Sequence, residues 1–224
     1  MNQLLVTMLP RFVAMATLFV AGLASAQALT GDVNAGKGKA AMCIGCHGII
    51  GYQNVFPEVH KVPKISGQSA QYIESSLKAY KKGDRKHPTM RGIAGSLSEQ
   101  DMADLGAFYA QHSAEPAAPE MAVAASDATA ALLAKGGCVA CHGDNYSKPL
   151  DPSYPKLAGQ HADYLYVALK SYTIETNANS KLGRNNAIMS GIASQFSLAE
   201  LKDISKYLSK LPTEMAVVPQ SRFR

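Results

Sequence analysis

The chain of 224 residues lacks any Walker or dinucleotide-type glycine pattern, and no Lys/Arg run is long enough to suggest nucleic acid. Nucleotide-driven chemistry and nucleic-acid binding are thereby set aside. Convincing alternation of apolar and polar residues is also missing, so strands are not expected. Cysteine is scarce, at four residues. The long hydrophobic run is confined to the N-terminus, where residues 12–26 follow Arg11 and end in Ala24-Ser25-Ala26. That run is short for a bilayer span, which needs about 20 apolar residues, and it closes on an A-x-A cleavage pattern. Residues 1–26 therefore read as a cleavable export leader, with Gln27 beginning the mature protein.

The rest can form globular structure. Hydrophobic residues make up 47% of the chain and the formal net charge is +5. The length has room for two compact domains of ordinary small size.

Every cysteine falls in one of two copies of a single pentapeptide, Cys43-Ile44-Gly45-Cys46-His47 and Cys138-Val139-Ala140-Cys141-His142. Cys-x-x-Cys-His is the attachment sequence of a c-type haem. The thiols, about one turn apart, form thioethers along one edge of the macrocycle, and the next residue places an imidazole under the iron. A structural zinc site would want its two pairs separated by roughly 15–20 residues. These pairs begin 95 positions apart, and each carries the extra histidine. A thioredoxin-like pair would need a βαβ setting that neither copy has. Two covalent haem c groups are expected. Export suits them, because this attachment occurs outside the cytoplasm and cysteines there are freed from cytosolic thiol chemistry.

The motifs sit in matching halves. Small-residue helices are expected over 36–46 and 127–141, leading into each copy. Pro63-Lys64-Ile65-Ser66-Gly67-Gln68 matches Pro155-Lys156-Leu157-Ala158-Gly159-Gln160 at an offset of 92. The same offset pairs Tyr72, Ile73, Leu77 and Tyr80 with Tyr164, Leu165, Leu169 and Tyr172, at the spacing of one helix face. The offset then becomes 99, pairing Met90-Arg91-Gly92-Ile93-Ala94 with Met189-Ser190-Gly191-Ile192-Ala193. Capping boxes follow at Ser98/Asp101 and Ser197/Glu200, ahead of terminal helices. Each half thus has about three helices and long loops. The insertions that change the offset fall in loops, three residues before Pro63 and seven before Met189. The expected layout is an N-terminal domain over 27–112, an Ala/Pro-rich linker over 113–125 and a C-terminal domain over 126–224.

The second axial ligand decides between carrier and enzyme. An open iron site permits ligand or peroxide chemistry; a second strong ligand leaves outer-sphere electron transfer. A methionine is ordinarily core filler. Met90 and Met189, however, occupy the same place in both repeats, each followed by Gly-Ile-Ala in what reads as a loop against the haem. Met102 matches Leu201, Met42 matches Gly137, and Met121 and Met215 lie in linker and tail. Met90 and Met189 are therefore the expected distal ligands. His87, three residues before Met90, is a competitor, but its counterpart is Asn186. Pro63 and Pro155 have two open roles: a turn, or a carbonyl that receives the axial histidine's Nδ1–H.

Together, paired Cys-x-x-Cys-His, Pro-Lys-x-x-Gly-Gln and Met-x-Gly-Ile-Ala resemble the two-domain class I cytochromes c known as the cytochrome c4 family. The resemblance spans the chain from the helix before Cys43 to the helix ending near Leu211. It implies an all-α fold of two tandem domains, each wrapped around one covalent haem, related by a pseudo-twofold axis with propionate edges near the interface. It also implies thioethers at Cys43, Cys46, Cys138 and Cys141, proximal His47 and His142, and distal Met90 and Met189. The implied activity is periplasmic electron transfer between redox proteins, such as a quinol-oxidising cytochrome complex and a terminal oxidase, with no small-molecule substrate and peripheral membrane association left open. Two alternatives stand beside it: the cytochrome subunit of a sulfide- or alcohol-oxidising dehydrogenase, and a catalytic haem protein such as a peroxidase.

Overall fold

The computed structural model describes residues 29–113, 123–176 and 180–219. The leader expected over 1–26, Met121 and most of the linker expected over 113–125 lie outside these residues. No described helix is long and apolar enough to cross a membrane.

The first half runs α1 (Val33–Lys39), α2 (Ala41–His47), a two-stranded ribbon β1 (Gln53–Asn54) and β2 (His60–Lys61), then α3 (Ala70–Lys82), α4 (Pro88–Gly95) and α5 (Glu99–Gln111). The second runs α6 (Asp127–Lys135), α7 (Val139–His142), α8 (Ala162–Tyr172), α9 (Ala187–Ala193) and α10 (Leu198–Leu208). The all-α expectation holds, with five described helices per half where the periodicity showed about three. The continuous helix expected over 36–46 is broken at Ala40, and that over 127–141 turns at Gly136–Gly137. The antiparallel ribbon, Gln53 opposite Lys61 and Asn54 opposite His60, sits in the loop where the first half is three residues longer.

Both capping boxes form. Ser98 and Asp101 cap α5 reciprocally, as Ser197 and Glu200 cap α10. These long terminal helices bury one face and build the cores. In the first half Met102, Leu105 and Phe108 pack with Ile73, Leu77, Leu97 and Ile44. In the second, Leu201, Ile204 and Leu208 pack with Leu133, Leu165, Phe196 and Leu211.

The halves meet through a reciprocal contact. Gln68 accepts from Lys156 N at 2.9 Å and donates to Lys156 O at 3.0 Å. Gln160 does the same to Lys64, at 3.0 and 2.9 Å. Each lysine Nζ then reaches across to the other half, Lys64 to Gly159 O and Lys156 to Gly67 O, both at 2.8 Å. The repeated Pro-Lys-x-x-Gly-Gln segments are thus the two sides of one symmetric joint. Asymmetric contacts add to it. Lys61 pairs with Asp163 and Lys170 with Glu58. The C-terminal strand of chain also straps onto the first half, with Ala216 N donating to Ser66 O and Met215 buried against Gln68.

Candidate haem sites

The short helices α2 and α7 present the two pentapeptides to one cavity of about 760 Å³, which is lined by both halves. All four cysteines are half-buried, and none pairs in a disulfide. Burial pushes the Cys43 thiol up to about 11 and Cys138 above its ordinary value.

His47 Nδ1 lies 2.9 Å from Pro63 O, and His142 Nδ1 lies 3.0 Å from Pro155 O. A carbonyl can only accept, so each Nδ1 carries the proton and each Nε2 keeps its lone pair. Burial also holds both imidazoles below the ordinary histidine pKa, against the pull of those carbonyls. Neutral imidazoles with a fixed tautomer are what a metal ligand requires. The open question over Pro63 and Pro155 is thus decided in favour of the carbonyl contact.

Met90 and Met189 reach the same cavity, from helices α4 and α9 rather than from the expected loops. The difference has a local cause. His87 Nδ1 accepts from Met90 N at 3.3 Å, and Asn186 Oδ1 accepts from Met189 N at 3.0 Å. Each is an N-cap that puts the methionine in the first turn of its helix, and Pro88 at the first helical position of α4 favours that start. His87 therefore faces a backbone amide, which accounts for a histidine in one half and an asparagine in the other.

These residues fit two covalent porphyrins. Two thiols and a tautomer-fixed imidazole sit on one side of each site, and a thioether comes from a separate helix. The Tyr109 hydroxyl, buried beside the Cys43 thiol, has no hydrogen-bond partner of ordinary length. Among the described residues, no three His, Cys, Asp or Glu side chains converge to hold a metal ion without such a macrocycle.

The motif reading passed over a further set of cavity residues. Arg85 lies over the rings of Tyr72 (5.2 Å) and Tyr80 (5.6 Å), and Arg184 over Tyr164 (5.7 Å) and Tyr172 (5.5 Å). Burial pushes the Tyr72 phenol up, but the two guanidiniums outweigh it and leave it below its ordinary value. Tyr164, with burial prevailing, rises to about 12. The signal was in the sequence, since Arg85 and Arg184 are separated by the same offset of 99 as the methionines.

A tandem, helix-rich protein with one Cys-x-x-Cys-His site per half, both opening on one cavity, belongs to the class of two-centre c-type haem proteins. The cytochrome c family profile matches residues 33–113 and 126–212. The chain is 34% identical to cytochrome c4 of Azotobacter vinelandii over 94% of its own length and 100% of that protein. It is 31% identical to the thiosulfate dehydrogenase electron acceptor of Stutzerimonas stutzeri, over 79% of its own length and 82% of that protein. The crystal structure of reduced recombinant cytochrome c4 from Pseudomonas stutzeri superposes with a TM-score of 0.58 at 26% identity, covering 81% of this chain and 100% of that one. The chain belongs to the cytochrome c family, as a two-domain, cytochrome c4-like protein with two covalently bound haem c groups.

Proposed function

We propose that the chain is an exported, periplasmic two-haem electron carrier working between redox proteins, such as a quinol-oxidising cytochrome complex and a terminal oxidase. Cys43 and Cys46 anchor one haem, Cys138 and Cys141 the other. His47 with Met90, and His142 with Met189, would hold the two irons, in domains spanning 27–112 and 126–224 joined by the linker 113–125. The observation that carries this reading is the duplicated constellation itself: a tautomer-fixed imidazole and a capped methionine on separate elements of each half, facing one cavity.

When bound, each haem supplies a one-electron iron couple. The protein's own work is to keep its surroundings nearly unchanged as the charge changes. The Pro63 and Pro155 carbonyls hold the imidazoles, the caps at His87 and Asn186 hold the methionine backbones, and the apolar cores behind them limit water. A methionine thioether paired with histidine would favour the ferrous state and raise the potential relative to two histidines. A histidine and a methionine together would hold each iron without leaving a place for peroxide, which favours electron transfer over bond chemistry.

Replacing Met189 by Ala tests the assignment. The thioether signature of one haem in the absorption spectrum is expected to vanish and its potential to fall, with the other haem unmoved. An unchanged spectrum and potential would sink it. The alternative of a dehydrogenase's cytochrome subunit is supported by the relative named as a thiosulfate dehydrogenase electron acceptor. Affinity capture of the holoprotein from periplasmic extract separates the two, since a stoichiometric dehydrogenase partner favours the subunit.

A further inference from the structure

Thioether attachment and axial ligation leave one feature of the cavity unused, a pair of guanidiniums facing each other between the halves. Arg85 and Arg184 are opposed residues of an antiparallel bridge. Backbone bonds from Lys86 N to Gly183 O (2.9 Å) and from Asn185 N to Asp84 O (2.7 Å) flank them and fix the register. Each guanidinium is oriented by its own half: Arg85 Nη2 to Tyr72 Oη at 3.3 Å, Arg184 Nη2 to Tyr164 Oη at 3.2 Å.

Both arginines are half-buried and line the cavity. Among the described residues neither forms an ion pair with a carboxylate; the adjacent Asp84 pairs with Lys82 instead. Arginine stays charged in proteins, so this repulsion cannot be relieved by losing a proton. Buried charges that persist are paired. Tyrosine faces and hydroxyls orient the guanidiniums but do not neutralise them. A planar, rigid donor fork matches a carboxylate, and each haem held at this cavity would bring two carboxylates with it.

We propose that Arg85 and Arg184 form a single shared carboxylate site on the axis between the halves, seating one haem propionate from each domain and so coupling the potentials of the two haems. The proposal rests on the two-haem reading above. It explains why the arginines follow the methionine offset, and why backbone bonds hold them opposite one another. Because the site is shared, removing either positive charge withdraws stabilisation from the ferrous state of both haems.

The test is the holoprotein carrying Arg85→Gln or Arg184→Gln, with each haem's midpoint potential resolved through its own methyl resonances during a redox titration. Either substitution is expected to lower both potentials. A fall confined to the haem of the mutated half, or no fall, overturns the shared site. Should the glutamine variants fail to load, Arg85→Lys and Arg184→Lys decide. They keep the charge, so potentials near wild type support the proposal and a fall as large as loss of charge would give overturns it. A second arm adds inorganic phosphate to the wild-type protein at constant ionic strength. Potentials that do not move place the propionates in the site, whereas a phosphate-dependent shift assigns it to a free anion and overturns the proposal. Haem content and the thioether signature are measured on the same samples. Two haems with intact methionine ligation and unmoved potentials defeat this inference alone, whereas fewer than two haems in the wild-type protein defeats the electron-carrier reading beneath it.

Discussion

A single side chain at the start of α4 controls where Met90 sits. His87 caps the helix with Nδ1 and also packs edge-on against Phe56 and Tyr80, at centroid distances of 5.9 and 6.4 Å. Asn186 performs only the capping part in the other half. His87→Ala should therefore cost about 1 kcal/mol through the lost cap and loosen Met90, visible in denaturant titration as a lower midpoint and in the ferric spectrum as partial loss of the thioether signature. His87→Asn should recover the cap's share of that loss. Equal losses in the two variants would show that aromatic packing, rather than the cap, matters here. Residues of this kind were partly legible. The duplication singled out Met90 and Met189 because chance filler would not match across repeats. The arginines carried the same offset, but a lone basic residue before a loop has no chemistry until the structure shows what it faces.

At the scale of elements, the first half contains a close helix crossing that the second repeats only loosely. Gly36 of α1 lies against the backbone of α5, where an added Cβ would overlap the Asp104 carbonyl. The approach lets Asp104 accept from Asp32 N at 2.8 Å and pair with Lys39 at 2.5 Å. The equivalent residue in α6 is Ala131, which is exposed. Gly36→Ala is expected to destabilise the N-terminal domain by about 1–3 kcal/mol or more, the range for overpacking, because the obstacle is backbone and cannot rotate away. The reverse substitution, Ala131→Gly, should cost no more than helix propensity, up to about 1 kcal/mol. Thermal unfolding followed at each haem separately checks both, and equal effects in the two halves would refute the asymmetry. The long helices α3, α5, α8 and α10 were readable from their period and caps. Around each pentapeptide a helix was expected but its breaks at Ala40 and Gly136–Gly137 were not, and α4 and α9 read as loops, because so short a segment shows barely two turns of periodicity. Gly92 and Gly191 also made their surroundings read as loop. What starts α4 and α9 is a cap and, in α4, a proline, and both signals were present ahead of the methionines.

Across the whole molecule, the joint between the halves was the least legible part, since similarity between repeats says nothing of their contacting one another. Gln68 and Gln160 are nearly fully buried, and each satisfies both an amide and a carbonyl of the opposite half. Removing one glutamine strands those groups, at about 1–3 kcal/mol per unsatisfied partner. Gln68→Ala with Gln160→Ala should separate unfolding into two transitions where one is expected for the wild type. A single retained transition would show that the strap at Ala216 and the Lys61–Asp163 pair suffice.

The same joint should be acid-sensitive, for a reason confined to His161. This residue precedes α8 beside Gln160, its backbone N–H donating to the Gln160 side chain at 3.0 Å. Burial, with Lys64 and Lys61 of the other half, depresses its pKa to about 4 although Asp163 pulls the other way. A histidine depressed in the folded state binds its proton first in the unfolded chain. Its contribution is therefore complete above the ordinary value of about 6.5 and is lost progressively as pH falls towards 4. Protonation would set a third positive charge against two lysines. Asp163 cannot offset it further, because its own pKa lies below the ordinary carboxylate value despite partial burial, held there by the Lys61 amide and ammonium and its own helix backbone. It is already ionised through this window. His87 and His112 are also depressed by burial, so some acid sensitivity persists without His161. His161→Gln should nonetheless flatten the decline of the thermal midpoint between neutral pH and about pH 4. A slope equal to that of the wild type would move the acid sensitivity away from the interdomain joint and onto the histidines of the first half.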